Sequence, residues 1–134
     1  MCASHQWCLH RAIIMRNKWI NHLIKATGYT VSGFKYAICN EISFRMEVIL
    51  MSVLIPSAFF VGSNVLEKAL LITVCLIVII TELLNSAIEA VIDRIGTKYH
   101  ILSKHAKDMG SAAVFVSLIL MAVIWGLVIY GRFI

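Results

Sequence analysis

Apolar residues in this chain fall into three long blocks. Residues 48–66 (VILMSVLIPSAFFVGSNVL) carry no charge and are long enough to cross a bilayer, with Pro56 as a kink point and Gly62-Ser63-Asn64 as a turn. A second block runs from Glu67 to Asp93, and a third, opened by Gly110, Ser111, Ala112 and Ala113, fills 109–131. Small residues at such a start let helices approach closely. Spans are predicted at about 47–63, 67–93 and 109–131. Residues 21–45 read differently: Leu23, Ile24, Phe34, Ala37, Ile38, Ile42 and Phe44 alternate with Lys25, Lys35, Glu41 and Arg45. That pattern predicts an amphipathic helix in the membrane interface, interrupted near Thr27–Gly28 and Ser32–Gly33. Residues 1–20 follow no clear period and are expected to be a variable, poorly ordered tail ahead of a single domain over 21–134. The fold class expected is all-α integral membrane.

The second block breaks its own pattern. After ALLITVCLIVII it places Glu82, Asn85, Ser86, Glu89 and Asp93 on one helix. At about 100° per residue, Glu82, Glu89 and Asp93 fall within roughly 40° of one another, with Asn85 and Ser86 flanking them. Ionisable groups on a membrane helix are functional candidates by default.

Composition agrees with the pattern: 60% of the 134 residues are hydrophobic and 14% charged, too apolar for a soluble domain of this length. The net charge of +5 does not point to nucleic acid, because the basic residues flank apolar spans, where an anionic lipid surface is the simpler partner. Cys2, Cys8, Cys39 and Cys75 have no metal-ligand spacing, and no secretory leader is expected. Arg11, Arg16, Lys18, Lys25, Lys35 and Arg45 precede the first span, and Arg94, Lys98, Lys104 and Lys107 join the second to the third. The opposite side has Lys68 and Arg132, so the N-terminus and the 94–108 loop are assigned to the cytoplasm.

That side is where ATP is found. Glu41 and Glu89 are both expected near the cytoplasmic boundary, and Mg²⁺ is commonly held by one or two carboxylates together with nucleotide phosphates. Lys98, His100, Lys104, His105 and Lys107 form a cationic loop over the same end, a reasonable triphosphate cradle or, alternatively, a headgroup anchor. Glu82 lies about 10 Å deeper than Glu89 at roughly 1.5 Å rise per residue, placed to act as general base on a lipid alcohol. Its structural alternative is an ion pair with a Lys or Arg of a neighbouring helix. No Walker A, Gly-rich kinase loop or GxGxxG is present, so ATP use would fall outside the common nucleotide folds. A small transporter with Glu82 as its proton-coupling carboxylate is the rival of another class.

The run ELLNSAIEAVIDRIGTKYHILSKHAKDMGSAAV, with NEISFRMEV at 40–48 and IKATGY at 24–29, resembles the bacterial diacylglycerol kinases, over roughly residues 22–131. The wording RIGTKYH and KDMGSAA is closer to them than to the undecaprenol kinases of the same fold. The resemblance implies a homotrimer with shared active sites in the bacterial inner membrane. It implies transfer of the ATP γ-phosphate to 1,2-diacylglycerol, with Glu82 as general base and Glu41 and Glu89 as Mg²⁺ ligands. Around the nucleotide it implies Tyr29, Lys98, Tyr99, His100, Lys107 and Asp108. Near the lipid it implies Lys25, Thr27, Gly28, Arg45, Glu47, Asn85 and Ser111. One departure stands out: His22 occupies the position, three residues before Lys25, where the family pattern leads one to expect Arg.

Overall fold

The computed structural model describes residues 3–96 and 99–134, with side chains described from residue 19 onward except residue 20. Every element among the described residues is helical: α1 (Ala3–Asn40), α2 (Ile42–Val61), α3 (Val65–Ile95) and α4 (Ile101–Gly131). The last three are long and apolar enough to cross a membrane. The chain divides into two units, one up to Cys39 and one from Asn40 onward.

The first unit is one continuous helix, without the expected interruptions at Thr27–Gly28 and Ser32–Gly33. A glycine inside a helix costs only about 1 kcal/mol relative to alanine, which neighbouring turns absorb. The hydroxyls bond back to their own helix, Thr27 Oγ1 to the Ile24 carbonyl at 2.8 Å and Thr30 Oγ1 to the Ala26 carbonyl at 3.0 Å. The helix begins at Ala3, within the stretch read from sequence as a variable tail. Its end comes earlier than the expected residue 45. Glu41 adopts an extended conformation (φ −106°, ψ 115°), and its carbonyl accepts from Arg45 N at 3.3 Å to start α2. Arg45 and Glu47 therefore belong to the first span.

In the second unit, α3 packs against both α2 and α4. Its buried residues are Leu71, Val74, Cys75, Val78, Glu82, Asn85 and Ser86, an i, i+3, i+4 stripe along one face. Opposite it, α4 buries Gly110, Val114, Ser117, Met121 and Trp125, and α2 buries Phe44, Met51 and Ala58. Steps of three, four and seven residues are those of knobs-into-holes packing between antiparallel neighbours. The apolar half of the unit forms one core around Leu71, Val78, Met121 and Trp125. Outward-facing positions remain apolar, Phe60, Leu66, Ile80, Phe115 and Leu127 among them, as a lipid-facing or protein-facing membrane surface requires.

The turns are defined by specific side chains. Asn64 caps α3 by accepting from Glu67 N at 3.0 Å, and the Glu67 carboxylate accepts in return from Ser63 N at 2.7 Å and Asn64 Nδ2 at 2.8 Å. At the same end, Arg132 Nη1 donates to the Phe60 and Val61 carbonyls at 2.6 and 3.1 Å, tying the end of α4 to the last turn of α2. Gly96 ends α3 with φ 138°, a backbone region open essentially to glycine. Helix α4 then begins at Ile101, earlier than the expected 109, because the His100 ring caps it: Nδ1 accepts from Leu102 N at 3.2 Å.

Candidate active site

Three helix segments converge on the end of the bundle away from Arg132: the start of α2, the C-terminal half of α3 and the start of α4. The α3 stripe that is apolar through Val78 becomes polar at Glu82 without leaving the buried face. Exposure then rises along the helix. Glu82 is 3% exposed and Asn85 9%, Glu89 is half-buried, and Asp93 is exposed. At about 1.5 Å per residue, α3 is roughly 46 Å long, against about 30 Å of hydrocarbon. Counting from Lys68 at its first turn, Glu89 lies about 32 Å along and Glu82 about 21 Å. Glu89 therefore reaches the far boundary, and Glu82 lies within the apolar layer. The site is graded from dry to wet.

Four glutamates among the described residues share this end. Glu82 is within electrostatic range of Glu41 and Glu89, and Glu47 is within range of Glu82. Among the described residues, Glu82 has no ion-pair partner. Lys107 Nζ is bound to Asp93 Oδ1 at 2.7 Å and lies within electrostatic range of Glu89 and Glu41. Lys104 instead pairs with Asp108 at 2.6 Å, one turn along α4.

Between α3 and α4 the register is held by small and polar residues. Thr81 and Ser117 share a hydroxyl–hydroxyl bond of 2.9 Å, and Gly110 sits against the side chain of Asn85. Asn85 Nδ2 donates to Glu89 Oε1 at 3.2 Å. Among the described residues, three buried oxygens near Glu82 have no protein partner: Glu47 Oε2, Asn85 Oδ1 and Ser86 Oγ. Buried polar atoms without a partner are uncommon in folded proteins, and a bound ion, water or ligand is one way to satisfy them.

The remaining sequence-predicted residues are distributed unevenly. Lys25, Thr27, Gly28 and Tyr29 lie exposed on α1, in the first unit. Lys98 lies outside the described residues. Tyr99, Arg45 and Ser111 are exposed at the polar end of the three-helix unit, and His100 serves as the cap of α4. Glu82 itself turns inward; its face continues the core stripe rather than the exposed face of Leu84 and Ile88. Sequence reasoning missed the contact of Gly110 with Asn85 and the Thr81–Ser117 bond. Both follow from the antiparallel register that already sets Lys107 beside Asp93.

Mg²⁺ would need oxygen ligands at the water boundary. Glu41 and Glu89 are both half-buried, hard-oxygen donors near the polar end of the unit. No group of three His, Cys, Asp or Glu side chains gathers among the described residues. Two carboxylates that leave the remaining positions to phosphate and water fit the usual chemistry of this ion.

A buried carboxylate, half-buried ones and a lysine at one end of three membrane-spanning helices define a small helical membrane protein with an intramembrane polar site. A model of the prokaryotic diacylglycerol kinases matches residues 28–129. Relatives named diacylglycerol kinase include one from Haemophilus influenzae, 47% identical over 111 residues, which are 83% of this chain and 94% of the relative. Another, from Pseudomonas aeruginosa, is 49% identical over 112 residues, or 84% and 91% of the two chains. A third, from Escherichia coli, is 42% identical over 111 residues, or 83% and 91%. The chain belongs to the prokaryotic diacylglycerol kinase family.

Proposed function

We propose that this protein phosphorylates 1,2-diacylglycerol to phosphatidate with ATP, at the cytoplasmic face of the bacterial inner membrane. The observation that carries this reading is the graded α3 stripe, with a dry carboxylate at Glu82 and a half-buried one at Glu89, in a member of this kinase family. A lipid alcohol reaches the reaction from the apolar layer and a nucleotide from water. A site that joins the two needs this gradient.

Glu82 accepts the proton of the lipid's primary hydroxyl as its oxygen bonds to the γ-phosphorus. The bond from that phosphorus to the β,γ-bridging oxygen breaks, and ADP leaves. Phosphoryl transfer through a loose transition state depends on alignment and charge neutralisation more than on covalent help. Lys107 offers such neutralisation beside Glu89 and Glu41. When bound, Mg²⁺ would be held by Glu41 and Glu89 and would offset charge on the phosphate oxygens. Tyr29, Lys98, Tyr99, His100 and Asp108 are proposed around the nucleotide. Lys25, Thr27, Gly28, Arg45, Glu47 and Ser111 are proposed near the lipid, in a homotrimer whose neighbouring subunits share active sites.

The test is transfer of label from [γ-³²P]ATP to diacylglycerol in mixed micelles, with Mg²⁺ present or chelated. Labelled phosphatidate that depends on Mg²⁺ is expected. A chain that labels undecaprenol in preference to diacylglycerol under the same conditions overturns the substrate assignment.

A further inference from the structure

Asn85 occupies an unusual position for an amide. It is 9% exposed, its Oδ1 accepts no hydrogen bond, and its Nδ2 donates to Glu89 Oε1 at 3.2 Å. The orphan oxygen rests against the backbone of Gly110 on α4. A Cβ at Gly110 would collide with Asn85 Oδ1 and come within 3.3 Å of Asn85 Cγ. The orientation of the amide follows from chemistry. Rotated by half a turn, it would face a carbonyl oxygen toward the Glu89 carboxylate and lose the donor.

We infer that Gly110 and Asn85 are positioning residues for Glu89: the missing side chain at 110 lets the Asn85 amide lie flat between α3 and α4, and the amide fixes one oxygen of Glu89 toward the nucleotide side. This rests on the reading of Glu89 as a metal-holding carboxylate. It also gives Asn85 a role toward the metal rather than toward the lipid. Partners that orient a metal-binding carboxylate typically contribute 10–100-fold to metal affinity or activity. A groove of about 350 Å³ beside the pair, lined by Leu84, Ile88, Ala106, Met109 and Ala113, gives a displaced amide somewhere to go. A methyl at 110 therefore bears first on the amide.

The experiment is Mn²⁺ binding with adenylyl imidodiphosphate, followed by electron paramagnetic resonance on purified protein in detergent, alongside the KM for diacylglycerol. Asn85→Ala and Gly110→Ala are each expected to weaken Mn²⁺ binding about 10-fold. The double variant should be no weaker than Asn85→Ala, because removing the amide makes room for the methyl. The diacylglycerol KM should stay within about twofold of wild type, on the 10–100-fold scale of such metal effects. Asn85→Asp, which keeps the shape but sets an acceptor against Glu89, should bind no better than Asn85→Ala and keeps the test open if Gly110→Ala does not fold. Wild-type Mn²⁺ binding in Asn85→Ala, or losses that multiply in the double variant, overturn the inference. Glu89→Ala is the control: if it binds Mn²⁺ as wild type does, the metal reading of Glu89 has failed instead.

Discussion

Replacing Glu82 with Gln removes one charge and almost no volume, which makes its outcome informative. The side chain is 3% exposed and has no ion-pair partner among the described residues, while three other carboxylates lie in its electrostatic neighbourhood. If Glu82 were a structural ion-pair member, the amide would leave a buried partner uncompensated, at a cost of about 3–5 kcal/mol. With no such partner, Glu82→Gln relieves repulsion and the fold should be at least as stable. Activity should respond in the opposite direction. Loss of a general base typically costs 10²–10⁴ in rate, or about 2.7–5.4 kcal/mol at 1.36 kcal/mol per decade. We expect kcat to fall by that factor, with the KM for Mg-ATP within about twofold because that range describes the chemical step. Glu82→Asp, which draws the carboxylate back by one methylene, should lose about 10². The assay is labelled phosphatidate formation in mixed micelles, paired with thermal unfolding followed by circular dichroism. A Glu82→Gln protein that keeps more than about a tenth of the wild-type rate, against the 10²–10⁴ expected, refutes the base assignment. One that unfolds several degrees earlier refutes the claim that its charge is unpartnered.

Other changes separate the site from its frame. Glu89→Ala should raise the KM for Mg-ATP and lower kcat, and higher Mg²⁺ should recover part of the loss; nucleotide binding that is unchanged at every Mg²⁺ concentration contradicts its role. Arg132→Gln removes charge-assisted bonds to two carbonyls of α2 at the end away from the site. At this exposed position it should cost about 1 kcal/mol of stability, seen as a lower unfolding midpoint with kcat unchanged. Gly96→Ala forces a Cβ into φ 138° and should cost about 1–3 kcal/mol, read by thermal unfolding, and loosen the connection that brings Lys107 to Asp93.

The membrane class, the three spans and the face carrying Glu82, Glu89 and Asp93 were legible because hydropathy and the 3.6-residue period act locally. Helix limits were less so. Thr27–Gly28 reads as a break by composition, yet the hydroxyl bonds back to its own helix and the turn survives. The start of α4 at Ile101 depends on a histidine cap nine residues before the apolar run is evident. The direction in which Glu82 faces could not be read from its depth. It depended on the stripe from Leu71 to Val78 being the buried one, which is set by what α2 and α4 present to it. The contact of Gly110 with Asn85 was beyond local reasoning altogether, since glycine at the start of an apolar run signals close approach without saying to what.

Because one face of α3 is packing surface above Val78 and reaction surface below it, the two halves of that helix share a single phase. Adding one residue at the junction, between Val78 and Glu82, would leave the core stripe in place and turn every site residue by about 100°. Asn85 would leave Gly110, and the carboxylates would face a different neighbour. Adding seven would restore the angle while pushing the site about 10 Å further along the axis. For a kinase that must meet a lipid at one depth, α3 is therefore both a protractor and a ruler, and sequence drift in that short junction is confined to substitution.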